Sequence, residues 1–142
     1  MNTQLAKIAG LVVATALSSV IGLASPTWGD ASKAGQESPA FSTPLPNVPG
    51  KSLTAIVVNF APGASSPVHH HAGSVYAYVL TGTIRSENSA TGPAREYKAG
   101  ESFFEPPGSV HLVTANASET EPASLLAVFI ADDGATLTMP GK

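Results

Sequence analysis

"SSPVHHHAGSVYAYVLTG", Ser65 to Gly82, decides how this chain folds. Its second half alternates, with Val75, Ala77 and Val79 on one side and Tyr76, Tyr78 and Leu80 on the other. A side-chain period of two is the signature of a β-strand, and β-branched and aromatic residues suit the pleated surface. Thr81-Gly82 then reads as a tight turn. The first half sets three adjacent histidines just ahead of that strand. On extended backbone His69 and His71 face one way and His70 the other, so His70 is expected on the outer surface. Two imidazoles at i and i+2 on an inward face can hold one metal ion if a third donor arrives from elsewhere. The chain has 4 histidines, and the remaining one is His111, in "PPGSVH".

Working outward, the flanking segments also read as strands. "SLTAIVVNF" (Ser52–Phe60) is rich in β-branched residues and stops at "APG", and "REYKAGESFFE" reads as two short strands joined at Ala99-Gly100. "PPGSVHLVTAN" is a turn running into a strand, and "ASLLAVFIA" (Ala123–Ala131) is a near-continuous apolar strand. "NSATGPA" reads as a loop. Many short strands without a helix-period stretch predict an all-β sandwich or small barrel, occupying residues 51–142. Residues 25–50, with "STPLPNVPG", are read as a linker and extended lead-in segment, since so many prolines exclude a helix.

Composition agrees. In 142 residues there are 13 glycines and 12 prolines but only 12% charged side chains, a mix that suits a turn-rich β domain. The length allows one core of useful size. A formal net charge of −3 offers no basic surface for nucleic acid, and the absence of cysteine excludes thiolate metal sites, disulfides and cysteine nucleophiles. Residues 1–24 have the layout of a secretory signal peptide: Lys7, an uncharged apolar run from Ile8 to Ala24, then small residues and a proline. The expectation is a periplasmic or secreted protein with no stable membrane association after cleavage.

The spacing of the histidine segments resembles the cupin superfamily, whose two motifs are G-x5-H-x-H-x(3,4)-E-x6-G and G-x5-P-x-G-x2-H-x3-N. Gly63, His69, His71 and Gly82 meet the first, and Gly100, Pro106, Gly108 and His111 meet the second, with Asn116 one residue beyond the expected asparagine. The resemblance implies a small double-stranded β-helix, or jelly-roll, barrel. It also implies a divalent metal held by His69, His71 and His111, with Fe, Mn, Zn, Ni and Cu not distinguished by imidazole ligation.

One departure matters: the motif glutamate falls on Val75. Three neutral histidines leave the charge of the ion uncompensated and its coordination open, as Lewis-acid or oxygen chemistry requires. Glu105, directly before Pro106-Pro107-Gly108, is the candidate replacement: inward, it would be a ligand or an acid/base group; outward, an inert carboxylate at a strand end. Tyr76 and Tyr78 read as barrel core or rim, with contact to a substrate as the alternative. The implied function is a dioxygenase-like or related metalloenzyme acting on a small molecule. The alternatives are a non-catalytic metal or small-ligand binding module and a metal-free structural barrel. Exposed edge strands of such a barrel would admit a homodimer.

Overall fold

The computed structural model describes residues 34–141. The expected signal peptide lies outside the described residues. Among the described residues, eleven strands form two antiparallel sheets. In chain order they are β1 (Gln36–Pro44), β2 (Lys51–Phe60), β3 (Ser65–Ser66), β4 (His69–His71), β5 (Ser74–Thr81) and β6 (Thr83–Asn88). They continue with β7 (Gly92–Lys98), β8 (Ser102–Glu105), β9 (Val110–Asn116), β10 (Ala123–Asp132) and β11 (Thr138–Pro140). One sheet runs β1-β2-β10-β5-β8 and the other β11-β4-β9-β6-β7, with β3 paired to β9.

The alternation read from the sequence is the alternation of the fold. Val75, Ala77 and Val79 of β5 are buried and meet Leu125, Ala127 and Phe129 of β10 on the inner face. Phe60 and Ile84 complete the most deeply buried part of the core. The chain crosses from the five-stranded to the six-stranded sheet at Gly82. There φ is +70°, and a Cβ would lie 2.7 Å from the Pro122 carbonyl oxygen, so the turn requires a residue without a side chain.

Three readings need correction. The segment ahead of Lys51 is not only a lead-in: Gln36–Pro44 is a full strand paired along β2 from Asn59 to Ser52. Its prolines masked it, but Pro39 and Pro44 are compatible with a strand because β1 is an edge strand, and the register shifts between Pro39 and Phe41. Gly92–Lys98 is strand where its Gly-Pro pair read as loop. Tyr76 and Tyr78 are neither core nor cavity lining; their side chains stand on the outer face of the five-stranded sheet, 46% and 38% exposed. The closing segment adds β11, which pairs with β4 and covers the histidine strand.

Candidate metal centre

The three histidines converge because of strand register. His69 and His111 are direct partners across the β4–β9 ladder, and His71 follows His69 on the same face. Ring centroids are 4.8 Å apart for His69 and His71 and 5.1 Å for His69 and His111. One nitrogen from each ring falls in a group whose members all lie within 4.8 Å of one another. His70 does not line the cavity that these rings face.

Local backbone fixes two of the rings. His69 Nδ1 donates to the Pro67 carbonyl at 2.6 Å, and His71 Nδ1 donates to the Leu137 carbonyl at 3.0 Å. Only N–H can donate to a carbonyl, so both rings present Nε2 with a free lone pair. This is how metal-binding imidazoles are oriented in general. The Leu137 contact explains the role of the closing segment, which holds His71 from outside its own sheet partner.

His111 is almost completely buried and its Nε2 lies 2.8 Å from the Ser86 hydroxyl. Its Nδ1 approaches Glu105 Oε2 at 2.9 Å, yet lacks the alignment of a hydrogen bond and has no such partner among the described residues. Glu105 Oε2 also lies 3.7 Å from His71 Nε2. A buried ring nitrogen and a carboxylate oxygen that approach each other without bonding, with two free imidazole lone pairs nearby, form a donor set that fits a cation.

Glu105 therefore points inward, and its position explains the missing motif glutamate. In the β5–β8 ladder Val75 is the direct partner of Glu105. Directly opposed residues project from the same face of a sheet, so the carboxylate stands one strand over from the motif position. Asn88 steadies it, with Nδ2 at 3.4 Å from Oε2 and 2.9 Å from the Ser109 hydroxyl. Burial would raise the Glu105 pKa, but the contact with His111 and the nearby His71 and His69 outweigh it and hold the carboxyl below its ordinary range. Burial lowers the His71 pKa, with Glu105 and the Leu137 carbonyl offsetting part of the effect.

Sequence reasoning missed Ser86 and Asn88. The signal was present: "TIRSEN" places Ile84, Ser86 and Asn88 on one alternating face, and all three are buried. Asn116, matched to the second motif, does not face the rings. Its side chain donates to the carbonyls of Ala61 and Glu121 and accepts from the Ser118 amide, closing the loop between β9 and β10.

The rings and Glu105 border a cavity of about 320 Å³. Its other walls include Val58, Phe60, Ala77, Phe103, Leu125 and Phe129, and among the described residues it contains no lysine or arginine. Thr114 also lines it, buried, with its hydroxyl lacking a hydrogen-bond partner. Glu37 of β1, with Gly35, borders the cavity from the edge of the five-stranded sheet.

Comparison with known proteins places this geometry. A double-stranded β-helix protein from Klebsiella pneumoniae superposes with a TM-score of 0.59 at 21% identity, covering 80% of this chain and 90% of that one. A cupin 2 conserved barrel protein from Salinispora arenicola gives 0.53 at 26% identity, covering 69% and 76%. Oxalate decarboxylase of Bacillus subtilis, described with Mn(II) centres, gives 0.52 at 26% identity over 62% of this chain, which spans only 23% of that protein. A search of curated proteins returned no match in sequence. The family model for the cupin domain matches residues 56–129, more than half of the sequence and every strand that carries a histidine, and the chain belongs to the cupin family.

Proposed function

We propose that this cupin is an exported metalloenzyme acting on a small molecule, with one divalent ion held by His69, His71, His111 and Glu105. The observation that carries the reading is the unbonded 2.9 Å approach of His111 Nδ1 to Glu105 Oε2 beside the free Nε2 atoms of the other two rings. Export rests on the pattern of residues 1–24. The Mn(II) centres of the related decarboxylase support a divalent occupant. A bound ion of this kind supplies Lewis acidity toward a ligand oxygen or sulfur.

The residues of the chain define what that ligand is. Glu105 neutralises one of two positive charges at the centre, leaving one in excess there, while the exposed Glu37 at the cavity border adds only further negative charge. Among the described residues no lysine or arginine lines the cavity to meet a second anionic group. A dianion would leave an uncompensated charge beside apolar walls, which is costly. The cavity thus favours a ligand with one acidic head, such as a thiol or a diketone enol, on an apolar body. The unpartnered Thr114 hydroxyl is available to hydrogen-bond a second, neutral polar atom. Phe103, Phe129 and Leu125 exclude water around the remainder.

Metal analysis of the purified protein tests the site. About one equivalent is expected for the native chain, and the His71→Ala, His111→Ala double variant should lose it. Undiminished metal in that variant overturns the assignment. Oxygen uptake and product analysis across thiols, diketones and phenols test catalysis. Stoichiometric metal with no turnover of any of them favours the binding-module reading, and tighter binding of oxalate than of single-headed ligands overturns the ligand class.

A further inference from the structure

We infer that Glu37 is a specificity residue at the cavity border, selecting ligands whose acidic head is joined to a tail that ends in an ammonium group. This selection rests on the single-headed reading above and extends it to the far end of the ligand.

Register points Glu37 inward. In the β1–β2 ladder it is the direct partner of Val58, which packs against the core and lines the cavity. Directly opposed residues project from one face of a sheet. Val58 is in turn opposite Leu125, and Leu125 opposite Val79, so Glu37 ends a row that is otherwise apolar. The backbone leading into it lies tight against the cavity wall. A Cβ added at Gly35 would be 2.8 Å from Phe60 Cε1 and 2.8 Å from Val58 Cγ1.

A charge at an inward position of a sheet breaks the binary pattern and calls for a reason. Glu105, the other carboxylate of the cavity among the described residues, meets His71 and His111. Glu37 forms no ion pair among the described residues. The two stand on opposite edge strands of the same sheet, Glu105 on β8 and Glu37 on β1.

Charge balance then fixes the tail. With an anionic head bound, the ion, Glu105 and the head are neutral together, and Glu37 remains as one negative charge facing the ligand. An anionic tail is repelled there, an uncharged tail gains nothing, and a cation pairs with it. The ligand class is therefore a zwitterion, with its acidic head at the histidines, its ammonium at Glu37 and its apolar body against Phe60 and Leu125. An inward charge on an edge strand also deters pairing with other chains, but that role alone gives no preference among ligands.

Binding to the protein loaded with Co(II) is read from the thiolate-to-metal charge-transfer band, without turnover. The probes are thiocholine and its uncharged carbon isostere, in which a tert-butyl group replaces the trimethylammonium. Neither tail can coordinate the ion, and the two differ only in charge. The native protein should bind thiocholine about 5-fold more tightly, as a solvated ion pair gives. In salt of about 1 M, where the Debye length is about 3 Å, the ratio should approach unity. Glu37→Gln should abolish the preference at low salt, and Glu37→Lys should invert it. Should these variants fail to fold, the salt dependence of the native ratio is the second readout. Equal binding of the two thiols by the native protein overturns the assignment of Glu37 and leaves the single-headed reading standing. So does a preference that survives Glu37→Gln or high salt. Failure of both thiols to bind overturns that reading, and the assignment with it.

Discussion

The inner faces of the two sheets border the same cavity but differ in kind. The six-stranded sheet contributes His69, His71, His111, Ser86, Asn88 and Thr114, with Ile84 as its deeply buried apolar member. The five-stranded sheet contributes Phe60, Val75, Val79, Leu125 and Phe129, with Glu105 as its one buried charge. The apolar core and the histidine cluster thus lie on opposite layers. The Glu105 carboxylate reaches across to the histidines from the apolar layer.

Three measurements would break or sharpen that division, the first carrying the largest effect. Phe60→Ala removes a side chain that is 1% exposed and should cost about 3–5 kcal/mol in urea unfolding, while the folded fraction keeps its metal stoichiometry. Loss of metal from folded protein would show that the layers are not separable. Next, Glu105→Gln should weaken metal binding about 10- to 100-fold by competition titration. Adding Val75→Glu to that variant returns a carboxylate to the opposing position in the ladder and should recover most of the loss. Unchanged affinity in Glu105→Gln would remove the carboxylate from the centre. The smallest effect is the pH response of the metal-free protein. Both shifted groups have folded pKa values below their ordinary ones, so the unfolded chain binds more protons. The His71 contribution is complete above pH 6.5 and is lost as the pH falls through its lower folded value; that of Glu105 is complete above 4.5 and is lost likewise. Urea midpoints in chelator should therefore fall from pH 7.5 to 5.5, and less so for His71→Gln.

The histidines were legible because their spacing in sequence is also their spacing in space. His69 and His71 share a face by the period of a strand, and that rule needs no knowledge of partners. Glu105 was legible as a candidate but not as inward, because its orientation depends on the β5–β8 register, which sequence alone does not give. Val75 and Glu105 are thirty positions apart in the chain and adjacent in the ladder. Ser86 and Asn88 went unread for a related reason: short polar residues on a strand resemble a solvated face until the opposite layer is known. The β1 strand was hidden by prolines that exclude a central strand but not an edge.

That edge has a further effect. A sheet with open rims can recruit strands indefinitely, and chains that stack rim to rim become fibres. Here one rim is β1, interrupted by Pro39, Pro44 and a register break, and the other is β8, only four residues long. Both are poor templates for another backbone. Growth sideways is blocked at each end, so a sheet whose outer face carries exposed Phe41, Tyr76 and Phe104 gives another chain no strand edge on which to build a fibre.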